Sequence, residues 1–145
     1  VKLKYLIDTH IVSAPISKIP NPEVLRRLER HGGECAIASV VWHELLYGAL
    51  RLAQSKRQDT ILAFLDQVVR TSFPILDYDR RAAQWHAEQR IRLEAIGLVP
   101  PFVDGQIAAI ASTNRLVLVS ANVKDFKNFS DLTLEDWAKK SRPTR

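Results

Sequence analysis

The chain has 145 residues, 21 of them basic and 16 acidic, for a formal charge of +5, and 46% are hydrophobic. That length predicts one compact domain able to bury a core without staples, and the charge leans mildly toward polyanionic partners. Cys35 is the sole cysteine, which excludes an intrachain disulfide and suits a reducing cytoplasm. The opening residues do not read as a secretory leader, and no apolar run reaches the ~18 residues of a membrane helix. The expected location is therefore cytoplasmic, with no membrane partner.

In chain order, residues 3–7 read as an apolar opening strand, and a short helix is expected over 11–17. Asn21 before Pro22 marks a capped helix start, with a stop at Gly32-Gly33. Residues 35–38 form a brief strand, and Ser39 is expected to cap a helix over 40–53. A further helix is predicted at 59–69, with Ile61, Leu62, Leu65, Val68 and Val69 on one face. A strand at 72–76 follows, then Asp77 or Asp79 as the cap of a long helix over 80–96 closed by Gly97. After Pro100-Pro101, a helix over 104–113 packs through Ile107, Ala108, Ile110 and Ala111. Residues 115–120 carry an unbroken apolar run suited to a strand covered on both faces, and a last short strand lies within 130–136. Strands alternating with helices predict an α/β fold: an α/β/α layered domain over residues 1–138 with a central, mainly parallel sheet. Residues 139–145 form a basic tail.

Four acids fall where such a sheet places its sites, beyond the C-terminal strand ends. Asp8 follows the first strand, Glu44 lies one turn into the helix after 35–38, Asp104 opens a helix, and Asp125 follows the 115–120 strand. Converging carboxylates oppose each other's ionisation, and a divalent cation reverses that balance. Oxygen-only donors select Mg²⁺ or Mn²⁺, which would activate water for attack on a phosphodiester. Singly, each acid has a plainer role: Asp8 and Asp104 as helix caps, Glu44 as a solvated charge, Asp125 as an ordinary loop acid. Ser120 and Asn122 would orient a carboxylate or simply form a turn. Arg80, Arg81, Arg90, Arg92, Lys124 and Lys127 are candidate contacts to the phosphates of a polyanionic partner, or else solubilising surface charge.

The four acids sit in blocks that resemble the PIN-domain ribonucleases, and among them the VapC-type toxins of bacterial toxin–antitoxin pairs. The blocks are Tyr5-Leu6-Ile7-Asp8-Thr9, Trp42-His43-Glu44-Leu45-Leu46-Tyr47-Gly48-Ala49, Pro101-Phe102-Val103-Asp104-Gly105-Gln106-Ile107-Ala108-Ala109 and Leu118-Val119-Ser120-Ala121-Asn122-Val123-Lys124-Asp125-Phe126, with Leu132-Thr133-Leu134-Glu135-Asp136-Trp137 at the end. The resemblance implies that Asp8, Glu44, Asp104 and Asp125 form the catalytic and metal-binding set; Thr9, His10, Ser120 and Asn122, beside them in the sequence, are candidate supporting residues. It implies a Mg²⁺- or Mn²⁺-dependent endoribonuclease acting on RNA, often a structured RNA such as tRNA, that inhibits translation and growth. It further implies a homodimer neutralised by a VapB-type antitoxin, with operator DNA bound only through that antitoxin. His10 stands where the family usually carries Asn, and Ser120 where Thr is commoner. His10 is expected to orient or be tolerated, with a nitrogen ligand to the metal as the lesser reading. A HExxH protease is excluded because Tyr47 stands at the position of the second His, and no phosphate-binding glycine loop is present. A non-catalytic PIN scaffold and a phosphoryl-transfer domain of receiver type are the alternatives to an enzyme that cuts RNA.

Overall fold

The computed structural model describes residues 2–139; residues 140–145 of the basic tail lie outside that span. The elements are β1 (Tyr5–Ile7), α1 (Thr9–Val12), a 3₁₀ turn (Ala14–Ile16), α2 (Pro22–His31), β2 (Cys35–Ala38), α3 (Ser39–Leu50), α4 (Lys56–Phe64), α5 (Arg70–Ser72), β3 (Ile75–Leu76), α6 (Arg80–Glu94), α7 (Phe102–Thr113), β4 (Val117–Val119), α8 (Val123–Phe126) and β5 (Leu134–Glu135). The strands form one sheet in the order β3-β2-β1-β4-β5, and every pairing is parallel. Leu6 lies opposite Ala36 of β2 and Leu118 of β4. The residues of β1 and β2 are all buried, as expected of a sheet covered by helices on both faces.

From β1 the chain builds β2 and β3 to one side, then crosses to add β4 and β5 on the other. The direction of winding therefore reverses between β1 and β4. Neighbouring connections diverge there and leave a crevice beyond the strand ends.

α2 forms as its sequence predicts: the Asn21 side chain accepts from the Glu23 and Val24 backbone N–H groups at 2.9 and 3.3 Å, and Pro22 follows. Asp79, not Asp77, caps α6 by accepting from Ala82 N. Gly97 adopts φ 79°, and the helix closes through Leu98 N to Leu93 O (2.9 Å) and Gly97 N to Glu94 O (3.0 Å). That paired closure needs a left-handed residue, which glycine supplies without steric cost.

Several boundaries differ from the sequence reading. The helix expected over 11–17 splits into α1, which Asp8 caps from Thr9 onward, and the 3₁₀ turn that contains Pro15. Ser39 is the first residue of α3 and makes no capping hydrogen bond; Ala38 holds the cap position. The helix expected to begin at 59 begins at Lys56, capped by Ser55, whose hydroxyl accepts from Gln58 N at 3.1 Å. It then passes through a π turn (Leu65–Val69) into α5. Leu65 and Val69 are buried there while Val68 is 44% exposed, so the inward row is the i,i+4 pair and Val68 falls off it. α7 starts two residues earlier than expected, behind Pro101. The 115–120 run contracts to three strand residues because Arg115 turns through φ 56°.

Candidate active site

The crevice between β1 and β4 is held by hydrogen bonds from both strands. Asp8 N donates to Val119 O at 3.0 Å, continuing the ladder just past β1. The Asp8 carboxylate divides its oxygens: Oδ1 accepts from Thr9 N at 2.7 Å and Oδ2 from Ser120 Oγ at 2.8 Å. Asp8 is thus both the cap of α1 and a fixed wall of the crevice. Ser120, only 1% exposed, also accepts from Asn122 N at 3.0 Å. Asn122 Nδ2 in turn donates to Asp125 Oδ2 at 2.6 Å. Asp8 and Asp125, far apart in sequence, are therefore joined through Ser120 and Asn122, which answers the turn-only reading of those two residues.

Glu44 and Asp104 are carried by the helices α3 and α7. Thr9 Oγ1 donates to Glu44 Oε2 at 3.4 Å, a long contact from α1 to α3. Glu44 is held above its ordinary range first by burial and then by the Asp8 charge; the Thr9 hydroxyl and the rings of His43 and His10 oppose that rise. Asp104 lies in the first turn of α7 and makes no capping bond, so the cap reading of this residue does not hold. Its carboxyl is pushed up to about 6, by burial first and then by Asp125, Asp8 and Glu44. Each of the other three acids thus acts on Asp104, which places all four in one electrostatic cluster. Among the described residues no group of three His, Cys, Asp or Glu side chains is placed so that it could hold a metal ion as it stands. The donors are nonetheless all carboxylates, crowded and mutually repelling. Such a set fits a hard divalent ion that keeps several waters.

His10 is exposed beside this cluster. The candidate phosphate contacts divide. Arg81 donates to Thr113 O at 2.7 Å, at the far end of α7, about 13 Å along the helix axis from Asp104. Arg92 donates to Gln89 Oε1 at 2.8 Å and Asn128 O at 2.6 Å. Arg90 lies 5.2 Å over the Phe102 ring and 3.7 Å from Glu94. Lys124 borders a cavity of about 180 Å³ together with Asp125, while Lys127 is exposed just after α8 and Arg80 is exposed at the start of α6. Lys124 is thus the basic candidate lining a cavity with one of the four acids.

Sequence reading missed what supports Asp104 from behind. His86 of α6 is 2% exposed, hydrogen-bonds Tyr78 Oη through Nδ1 at 2.9 Å, and stacks obliquely on Phe102 with centroids 4.8 Å apart. A Cβ on Gly105 would overlap its imidazole. A helical glycine next to the candidate acid was a possible signal, but nothing in the sequence pointed to His86 as its partner.

The PIN domain family model matches residues 5–132. This chain belongs to the PIN-domain family. It is 34% identical over 137 residues to a tRNA(fMet)-specific endonuclease VapC of Shigella flexneri, covering 94% of this chain and 99% of that relative. It is 32% identical to ribonuclease VapC2 of Haemophilus influenzae, over 93% of this chain and 98% of that one. The structure superposes with a TM-score of 0.80, at 31% identity over 93% of this chain and 99% of the other, on a chain of the Rickettsia felis VapBC2 complex bound to a DNA fragment from its promoter. As a member of the family, this PIN domain has VapC ribonucleases among its relatives.

Proposed function

We propose that this PIN domain is the toxin of a toxin–antitoxin pair, a divalent-metal-dependent endoribonuclease whose site is Asp8, Glu44, Asp104 and Asp125. The observation that carries the reading is the cluster at the β1/β4 crevice, where burial and three neighbouring carboxylates push Asp104 up to about 6. A scaffold that only binds has no use for that electrostatic cost. Mg²⁺ or Mn²⁺ held by these carboxylates would supply the Lewis acidity that phosphodiester hydrolysis needs. Ser120 and Thr9 N fix the orientation of Asp8. Asn122 does the same for Asp125. Glu44, raised by burial and by Asp8 and hydrogen-bonded by Thr9 Oγ1, would accept the proton of the attacking water. Lys124, beside Asp125, would meet a substrate phosphate.

The substrate is RNA, a structured RNA such as tRNA being the reading favoured by the Shigella flexneri relative's name. A VapB-type antitoxin is the proposed partner, in line with the VapBC2 complex, and operator DNA would be reached through it. Tyr47, Leu50 and Leu52 are exposed on and after α3; Tyr47 lies one turn beyond Glu44, so a partner covering it would also screen the site. A second copy would cover Ile91, Ile96, Val99 and Phe102, exposed at the end of α6 and the start of α7.

Asp8→Asn and Asp104→Asn test the site. Each should lower Mg²⁺- or Mn²⁺-dependent cleavage of a tRNA pool by about a hundredfold or more and relieve growth inhibition, with a cooperative melt retained. Undiminished cleavage by both purified variants would remove these acids from the site.

A further inference from the structure

A second cavity, of about 220 Å³, lies against α1 and the start of α2. Two of its walls are sequence neighbours of site residues: His10, two residues after Asp8, and Ala121, between Ser120 and Asn122. His10 also acts on Glu44 electrostatically, so this exposed ring lines the cavity and lies within electrostatic reach of the acids. The floor is apolar, with Ile11, Ala14 and Val24 buried. The rim carries polar groups, and their commitments are informative. Ser13 Oγ already donates to Thr9 O at 2.9 Å. Asn21 Oδ1 is used in capping α2, which leaves its NH₂ group as the donor it can offer a ligand.

An apolar slot with an aromatic ring at its mouth and a few hydrogen-bonding groups on its edge matches the chemistry of a splayed-out nucleobase. Bases of single-stranded RNA are held by stacking on rings such as imidazole and by bonds to their edges, whereas a duplex keeps them out of reach. His10 and Ala121 in its wall are close in sequence to Asp8, Ser120 and Asn122, so a base seated in the slot would belong to a nucleotide near the scissile phosphate.

We propose that this cavity is a nucleobase subsite, in which His10 stacks on an unpaired base adjoining the cut and Asn21 donates to a carbonyl or ring-nitrogen acceptor on its edge. The proposal rests on the ribonuclease reading and assigns part of its sequence preference to these two residues. His10 acts here through its ring face, so no change of its charge is involved.

Binding and cleavage separate the two levels. Labelled unstructured RNA oligonucleotides, with the nucleotide on each side of the cut varied through all four bases, are titrated by fluorescence anisotropy with metal-free protein. They are then digested with Mn²⁺. His10→Ala should weaken binding of the preferred oligonucleotide by about tenfold, the size expected for losing one base stack. Asn21→Asp keeps the helix cap, because aspartate caps as well as asparagine. It removes the NH₂ donor, and should cut discrimination among the four bases by about tenfold. Wild-type preferences unchanged in both variants, alongside normal cleavage, would overturn the subsite and leave the ribonuclease reading intact. Loss of affinity for an antitoxin peptide, with RNA preferences unchanged, would overturn it in favour of a protein-docking pocket. A wild-type protein that neither binds nor cuts any of the RNAs would overturn the ribonuclease reading itself, and the subsite with it.

Discussion

At the scale of single residues the site is a balance between hydrogen bonds that favour charged carboxylates and crowding that opposes them. Asp104 shows the second effect. Its carboxyl titrates near 6 in the folded chain against a reference of 3.8, so the folded state binds more protons between those values. Stability of the metal-free protein should then fall as pH rises from about 4 to about 6, and the penalty persists above that window. Asp104→Asn removes it: in EDTA the variant should melt higher than wild type at pH 7.5, and the gap should close by pH 4. Added Mg²⁺ should raise the wild-type melting temperature more than the variant's. Equal melting curves in EDTA at both pH values would contradict the crowding. Ser120 shows the first effect, since its buried hydroxyl both donates to Asp8 and accepts from Asn122 N. Ser120→Ala leaves Asn122 N without that acceptor and should cost about 1–2 kcal/mol, read as a melting temperature lower by several degrees. Cleavage should fall as well, because Asp8 loses its orientation. Cys35 takes no part in this chemistry: it is buried, and burial pushes its thiol up to about 12.

At the scale of elements, the placement of Asp104 depends on how closely α6 meets α7. Gly105 admits the His86 ring where any side chain would collide with it, and Tyr78 holds that ring from the other nitrogen. Gly105→Ala should destabilise by about 1–3 kcal/mol, as overpacking does. In a His86→Ala background the same change should be neutral or favourable, because alanine is the better helix former by about 1 kcal/mol. Denaturant melts of the four proteins give the coupling energy directly, and additive effects would rule out the clash. Elements also show where sequence reading succeeds. Local signals at Asn21-Pro22, Asp79 and Gly97 placed α2 and α6 because caps and left-handed turns act within a few residues. The start of α7 was misplaced because Asp104 resembles a cap, whereas its actual neighbours are acids from other parts of the chain.

At the scale of the whole molecule, Ile91, Ile96, Val99 and Phe102 stay exposed, Ile91 and Val99 at 70% and 77%. Four large apolar side chains left exposed within residues 91–102 are the kind of surface that a partner covers. If a second copy covers it, Val99→Asp should shift sedimentation from dimer toward monomer while the monomer's melt stays cooperative. An unchanged dimer would place the interface elsewhere. Among the described residues no helix is long and apolar enough to cross a membrane.

The sequence by itself determined the strands and helices, their alternation and hence the layered α/β class, because hydrophobic period, caps and turn residues are local properties. It also named the four acids, through their positions after strands and the family blocks around them. Only the tertiary structure decided that β1 and β4 are neighbours, and so that Ser120 bridges Asp8 to Asp125 through Asn122. Strand order is set by how the crossover helices pack, and that packing is a sum over distant contacts. The same holds for the rise of Asp104 to about 6, which depends on three charges brought from separate segments, and for His86 behind Gly105, which no spacing in the chain announces.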